Sequence, residues 1–558
     1  MIRDLESLTS RNFDVVVVGG GIYGAAVARE AALCGLSTAL IEKADFCSGT
    51  SANSLKIIHG GLRYLQQLDI PRLRNSVVER RALLRTAPHL VHPLPCMMPT
   101  QGHGMKGREA MFFGMLLNEI LSLDRNQLSD QEKHIPRGNL ISRDETCRRI
   151  PGLSPAGITG GATWHDAYVY NSERLVTGMI QGAVDAGAVA ANYVTLTAFH
   201  KTNGRITAIR ARDELTGNEF DISSRLVINT TGPWINDLLN LLDRRPSPPM
   251  KGLALGLNFV LRRQLLPQAT GLRCTRKTGG GQRLLFLMPW RNHTVAGTYY
   301  RIHKGAADSM AVTEPDIETL LSDLTLAYPA AEFKREDISG VLAGLLPIKH
   351  ERASHEEPAL ANHFSIIDHA RQDSLEGLIT VVGVKYTTAR DVAARTISLV
   401  LEKLDCPARV SGTELKLLPG GQIHDFQQAL SDARARAAPP LTAEVMDHLL
   451  YNFGHETRTV LDYGKNEPVL LDTLGPDTSV IGAEIIHAVR NEMAVTLPDA
   501  VFRRTDLGSA GLPGLATLKR CADIMASECG WTGSRRDQEL AKVMSSPFFG
   551  DPLRRYLR

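Results

Sequence analysis

The chain has 558 residues, 43% apolar and 22% charged, an ordinary globular composition long enough for two or more domains. The net charge of +3 and a pI of about 8.4 are too mild for a nucleic-acid binder, but suit an anionic substrate or an anionic membrane surface. The cysteines, Cys34, Cys47, Cys96, Cys147, Cys274, Cys406, Cys521 and Cys529, are scattered without a CxxC pair, which excludes a disulfide framework and a zinc site and points to a reduced, intracellular protein.

The first residues, MIRDLESLTSRN, lack the apolar core of a signal peptide, and no apolar run is long enough to span a membrane. The stretch 13–64 then organises the chain. An apolar run at 15–18 ends in Gly19, Gly21 and Gly24, an Ala-rich helix follows, and a second apolar run at 37–41 delivers Glu42. Strand, glycine turn, helix, strand and acid in this order make a dinucleotide fold. Gly19 permits the turn, Gly21 lets backbone approach a pyrophosphate, and Gly24 lets helix and strand pack closely. The helix N-terminus attracts phosphate, and Glu42 accepts hydrogen bonds from a ribose. The small-residue segment CSGTSANSLKIIHGGLRY at 47–64 adds a second loop beneath the cofactor, which favours FAD over NAD.

Residues 70–86 read as an Arg-rich helix, and Pro88, Pro93, Pro95 and Pro99 are expected to break the chain into extended pieces. Residues 111–123, MFFGMLLNEILSL, are too short to span a bilayer and carry Glu119. They read as a core helix or as a patch that dips into a membrane interface, with Lys106 and Arg108 just before it. A helix is predicted at 171–187, strands over 188–230, and a buried strand at 226–229 running into Thr230, Thr231, Gly232, Pro233 and Trp234. Strand patterning over 250–350 predicts a mainly antiparallel sheet. The run 378–382 ends in Gly383, Lys385, Tyr386, Thr387 and Thr388 before a helix at 391–404, a second strand–turn–helix aimed at the cofactor.

These residues together carry a family resemblance. VVVVGGGIYGAAVAREAALCGLSTALIEKADFCSGTS, KIIHGGLRYL, VINTTGPW, GVKYTTAR, LPGG at 418–421 and FRRTDLG at 502–508 resemble the FAD-dependent glycerol-3-phosphate dehydrogenase/oxidase family over nearly the whole length. The resemblance implies a Rossmann-like α/β FAD-binding fold of the glutathione-reductase/amino-acid-oxidase kind, an α+β substrate domain and a helical C-terminal cap. The expected division is a discontinuous FAD domain (10–65, 180–235, 375–405) interleaved with the substrate domain (70–180, 236–374) within 1–405, a linker at 406–424 and helices over 425–558.

The resemblance also implies hydride transfer from a secondary alcohol to FAD, with quinone or oxygen as final acceptor. It places Gly19, Gly21, Gly24, Glu42, Lys43, Thr50, Ser51, His59, Gly60, Gly61, Thr231, Gly232, Gly383, Lys385 and Thr387 at the cofactor, and Arg63, Tyr64 and Lys385 at the substrate. Arg and Lys are the donors a phosphate ester needs. Three positions depart from the family pattern: its substrate-binding arginine falls on Leu346, its histidine on Asn258, and its GTTD-like turn reads GTYY, ending in Tyr300. Lys251, Arg301, Lys349 and His350 are candidates to compensate.

Three functional readings follow. The first is oxidation of glycerol 3-phosphate. The second is the same chemistry on another polyol, hydroxy acid or sugar derivative. The third is a flavin-binding protein with little turnover. The expected location is cytoplasmic, with peripheral contact on the inner face of a membrane and a homodimer both left open, and with no metal and no nucleic acid.

Overall fold

The computed structural model describes residues 1–104, 107–243, 246–275, 282–350 and 358–546, except the side chains of Arg63, Gln66, Gln67 and His350. Two sheets organise the described residues. The first has eight strands, with a parallel centre in the order Leu378–Val382, Glu219–Asn229, Asn12–Val18, Thr38–Ile41 and Val189–Ala191. Ser365–Asp368 closes one edge antiparallel, and the hairpin of Val194–Thr202 and Arg205–Asp213 pairs with the first half of Glu219–Asn229. The central strands Thr38–Ile41 and Leu378–Val382 are buried on both faces, which is why they read as unbroken apolar runs rather than alternating ones. The helix Ile22–Leu33 packs between Ser172–Asp185 and Ala389–Lys403, and its small alanines let it sit buried almost all round.

The second sheet has ten strands and is mainly antiparallel. Its order is Ala359–Leu360, Ile338–His350, Leu253–Leu261, His293–His303, Gln282–Trp290, Ala269–Thr275, Val91–Gln101, Ile158–Val169 and Ile57–Ile58, with Asn139–Ile141 added on Ile158–Val169.

Chain segments cross between the sheets in two places that the expected division misses. Ile57–Ile58, inside the 10–65 segment, pairs with Ala167 and Tyr168 of the second sheet. Ser365–Asp368, inside the 236–374 segment, pairs with Leu378–Val382 of the first. The prolines also behave differently from expectation. Pro93, Pro95 and Pro99 do not interrupt the chain but lie within the strand Val91–Gln101. All three share one parity, so the donors they lack point to one side. The strand pairs along its whole length with Ile158–Val169, but with Ala269–Thr275 only at Cys96 and Met97.

Beyond the sheets, residues 406–424 are clasped rather than loose. Ser411 Oγ and Thr413 Oγ1 donate to the buried Glu30 carboxylate (2.6 and 2.7 Å), and Arg29 Nη2 donates to Lys416 O (2.7 Å). The helices that follow, from Phe426–Ala435 to Gly533–Met544, enclose two apolar cores of their own. A buried polar network docks them. Arg174 forks onto Glu492 (2.8 and 3.1 Å), Arg291 reaches Asp506 (2.6 Å), and Asn171 donates to Asp506 (2.8 Å).

His448 lies between Glu484 (3.0 Å) and Asp506 (3.3 Å) in this network. Burial alone would drive off its proton, but the two carboxylates outweigh burial and raise its pKa from 6.5 to about 10. The folded state therefore holds a proton between these values that the unfolded chain has lost. The stabilisation is complete below 6.5 and disappears as pH rises through 10. Melting temperature is expected to fall across this window in the natural protein, and His448→Gln is expected to flatten the slope while lowering stability near pH 6.

Candidate active site

A cleft of about 650 Å³ runs between the two sheets. Its cofactor end is built from backbone brought unusually close. Gly19 has φ +107°, and a Cβ there would stand 2.8 Å from Thr230 O. A Cβ on Gly24 would stand 1.7 Å from Gly19 O, so this glycine lies behind the cleft and sets the helix against the strands. Gly21 precedes the helix and faces the cleft beside Ser51, whose Oγ accepts from Ile22 N (2.9 Å). Glu42 leaves the end of Thr38–Ile41 and accepts from Gly20 N (2.6 Å) and Ala44 N (2.9 Å). Burial pushes its carboxyl up, against the pull of these two N–H groups.

Thr231, whose backbone packs against Gly19, and Gly232 also line the cleft. The turn after Leu378–Val382 is fixed by Tyr23. Its ring occupies the space a Cβ on Gly383 would need, and its hydroxyl donates to Lys385 O (2.7 Å) and accepts from Val384 N and Lys385 N (3.1 Å each). Glycines that leave no room for a Cβ, a helix N-terminus and a carboxylate at the end of the second strand fit the pyrophosphate and ribose of FAD. Gly19, Gly21, Glu42, Thr231, Gly232 and Gly383 would hold it.

Several expected cofactor residues have other work. Lys43 lines the cleft, but its ammonium bonds Asp308 (3.0 Å) and lies 4.2 Å over the Trp234 ring, whose Nε1 also donates to Asp308 (2.6 Å). Thr50 lines the cleft and donates to Leu345 O (3.0 Å), tying the loop to the second sheet. Gly60, Gly61 and Thr387 do not line the cleft. Arg80 fills the space beside Gly60, Gly61 takes φ +89° against Leu73, and Thr387 is buried.

The cleft is also lined by His59, Lys385 and residues of the second sheet, the part where a substrate would sit. Lys385 Nζ lies 3.7 Å over the Tyr64 ring, which also stacks under the Arg72 guanidinium at 4.2 Å. Tyr64 is thus brought to Lys385 but is itself buried, while the Arg63 side chain lies outside the described residues. His59 faces the cleft with its side chain 44% exposed, and its Nδ1 meets Asp166 Oδ2 at 3.2 Å. Asp166 is buried, which alone would raise its pKa. His59, Arg80 (3.0 Å) and Gly60 N (2.6 Å) outweigh burial and hold it at about 2. The carboxylate therefore stays charged and orients the imidazole.

Asn258, Tyr300 and Leu346, the three departures, all line this cleft. Gly256 pairs with Tyr300 on one side and Gly344 on the other, and the Tyr300 and Leu346 side chains close over it. Asn258 Oδ1 accepts from Thr298 Oγ1 (2.7 Å), and an amide cannot serve as a base at neutral pH. The compensating cations are placed elsewhere. Arg301 is forked onto Asp316 (2.6 and 3.0 Å), and Lys251 and Lys349 are exposed and do not line the cleft. The His350 side chain is outside the described residues.

Tyr23, Asp308, Arg80 and Asp166 support the cleft's side chains and are not singled out by motif reading, whereas Trp234 belongs to the turn at 230–234 noted above. Tyr23 and Trp234 do stand inside quoted motifs, and bulk at these small-residue turns is the signal that was available. Asp166 lies 107 residues from His59 and carries no local signature.

Comparison with known proteins identifies the family. The family model described as FAD dependent oxidoreductase matches residues 14–390, and that described as the C-terminal domain of alpha-glycerophosphate oxidase matches 411–536. A glycerol-3-phosphate dehydrogenase of Synechocystis sp. is 31% identical over 551 residues, covering 97% of both chains. That of Mycobacterium leprae is 30% identical over 544 residues, covering 96% of this chain and 88% of the relative. The solved glycerol-3-phosphate dehydrogenase of Bacillus halodurans, complexed with FAD, shares the fold with a TM-score of 0.77 at 24% identity, over 98% of this chain and 97% of that one. With a full-length match in sequence, a matching fold and a cleft that fits the cofactor, the chain belongs to the FAD-dependent glycerol-3-phosphate dehydrogenase family.

Proposed function

We propose that this dehydrogenase oxidises the secondary alcohol of sn-glycerol 3-phosphate to dihydroxyacetone phosphate. The observation that carries the reading is a single cleft joining the dinucleotide end to His59 and Lys385 in a chain similar to such dehydrogenases throughout. FAD, when bound, accepts the hydride that leaves the carbinol carbon. His59 takes the hydroxyl proton on Nε2, while Asp166 holds Nδ1–H and balances the imidazolium that forms. Lys385 supplies positive charge for the phosphate or the developing carbonyl oxygen. Electrons then leave to a quinone or to oxygen.

One observation favours a second reading, a related polyol with less negative charge. The sheet side of the substrate end is closed by Leu346 and Tyr300 over Gly256, and Arg301 is committed to Asp316. Losing one Arg–phosphate pair weakens binding by roughly a hundredfold. Anaerobic mixing with glycerol 3-phosphate is expected to bleach the visible absorbance of the bound flavin. His59→Asn is expected to slow that bleaching by about 10²–10⁴-fold. Bleaching by an uncharged polyol and not by glycerol 3-phosphate would select the second reading.

The helix Arg108–Leu121 is proposed to rest on an anionic lipid surface. Phe112, Phe113, Leu116 and Ile120 are 52, 67, 51 and 58% exposed, and Leu123 just beyond is 78% exposed. Met115 is the helix's buried residue, and Arg108 at its start is exposed. The other face of the helix packs through Leu117 and Leu121 on the segment that carries Tyr64. Among the described residues no helix is long and apolar enough to cross a membrane. The protein is expected to sediment with anionic vesicles, and Phe112→Ser with Leu116→Ser to abolish this. A natural protein that stays in the supernatant contradicts the assignment.

A further inference from the structure

The motif FRRTDLG lies in the C-terminal helical domain, far from the cleft in sequence, yet it reaches the cofactor loop. Residues 42–47 wrap around Gly20. Glu42 accepts from Gly20 N, Cys47 N donates to Gly20 O (3.0 Å), and the Phe46 ring fills the space beside Gly20. The Asp45 side chain, midway along this loop, points away from the cleft and is completely buried. It receives both Arg504 nitrogens (2.8 and 2.7 Å), Arg503 Nε (2.5 Å) and Asn192 Nδ2 (2.9 Å).

Two consecutive residues meet one carboxylate because Ala500–Arg504 forms a π-turn, a widened helical turn that recurs at functional sites. Arg504 is itself oriented by Glu492 O (2.9 Å), and Arg503 by Asp499 (2.6 Å). Asp499 also accepts from the Tyr193 hydroxyl (2.7 Å), while Tyr193 N donates to Ala44 O (2.9 Å) and Val194 N to Glu42 O (2.8 Å). The loop is thus held on three sides by the C-terminal domain and the strand start it docks against.

We propose that Arg503 and Arg504 are positioning residues for FAD: by clamping Asp45 they aim the Glu42 carboxylate and the Gly20 turn at the adenosine end of the cofactor. The C-terminal domain is on this account part of the cofactor site without touching the cofactor. The arrangement also explains why a helical domain with apolar cores of its own is tied to the catalytic body by fully buried charge. Uncompensated, that charge is costly, so the domain docks in one register.

The inference rests on the assignment of FAD, and one experiment separates the two. FAD affinity is measured by flavin fluorescence on refolded apoprotein for the natural chain, Arg503→Gln, Arg503→Lys, and Leu518→Ala, a buried core change in the same domain that does not touch Asp45. Melting temperatures of the apoproteins are recorded alongside. Arg503→Gln is expected to weaken FAD binding at least about tenfold, with partial recovery in Arg503→Lys. Leu518→Ala is expected to lose stability but keep natural affinity. Equal weakening in Leu518→Ala at a matched melting temperature, or unchanged affinity in Arg503→Gln, overturns the inference. A natural chain that takes up no FAD overturns the cofactor assignment itself.

Discussion

The structure depends on one close approach of backbone to backbone. The helix Ile22–Leu33 crosses the strands Asn12–Val18 and Glu219–Asn229 so tightly that nothing larger than hydrogen fits at Gly24, which faces Gly19 O and Thr230. Thr230 Oγ1 donates to Val18 O (2.8 Å) and locks the crossing. Parallel strands buried on both faces and an alanine-rich helix are what make such an approach stable. Its consequence is chemical. The helix begins at the cleft, where its N–H groups and positive dipole end would suit a pyrophosphate.

Other parts of the site are placed by reference to that helix start. Ser51 caps it from the following loop, Tyr23 in its first turn sets the Gly383–Lys385 turn, and the loop 42–47 folds back over Gly20. Lys385 is consequently held at the cleft by the helix whose N-terminus also lines it. The second sheet contributes a different kind of surface. Gly256 lies beneath the Leu346 and Tyr300 side chains and Gly344 against Thr50, and Leu346, Tyr300 and Asn258 line the cleft with uncharged groups. Positive charge on this part of the cleft comes from Lys385, after the first sheet's strand Leu378–Val382, whereas His59 directly follows the second sheet's strand Ile57–Ile58 and Asp166 stands on its strand Ile158–Val169.

How much of this was legible in the sequence follows the distance over which each feature is encoded. The stretch 13–64 spells its strand, glycines, helix and acid consecutively, and the structure places Gly19, Gly21 and Glu42 together at one end of the cleft. The three departures at 258, 300 and 346 were also visible, because a resemblance marks positions even when it does not show their surroundings. Features made by tertiary pairing were not. Nothing near His59 announces Asp166, and nothing near Asp45 announces Arg504, 459 residues away. The prolines of Val91–Gln101 misled for a related reason. Whether a missing donor matters depends on which neighbour that side of the strand meets, and the neighbour is distant in sequence. Likewise, nothing near Lys43, which lines the cleft, announces the Asp308 and Trp234 that the fold brings against it.

The most direct test of this account is substitution of Gly21, whose backbone at φ −80° suits any residue and whose Cβ would stand 3.0 Å from Ser51 Oγ at the wall of the cleft. FAD affinity and apoprotein melting are measured for Gly21→Ala. The account predicts a folded protein, melting within about 2 °C of the natural apoprotein, whose FAD binding is weaker by at least about tenfold, or roughly 1.4 kcal/mol. A variant that binds FAD as tightly as the natural chain would contradict the placement of the pyrophosphate at this helix start.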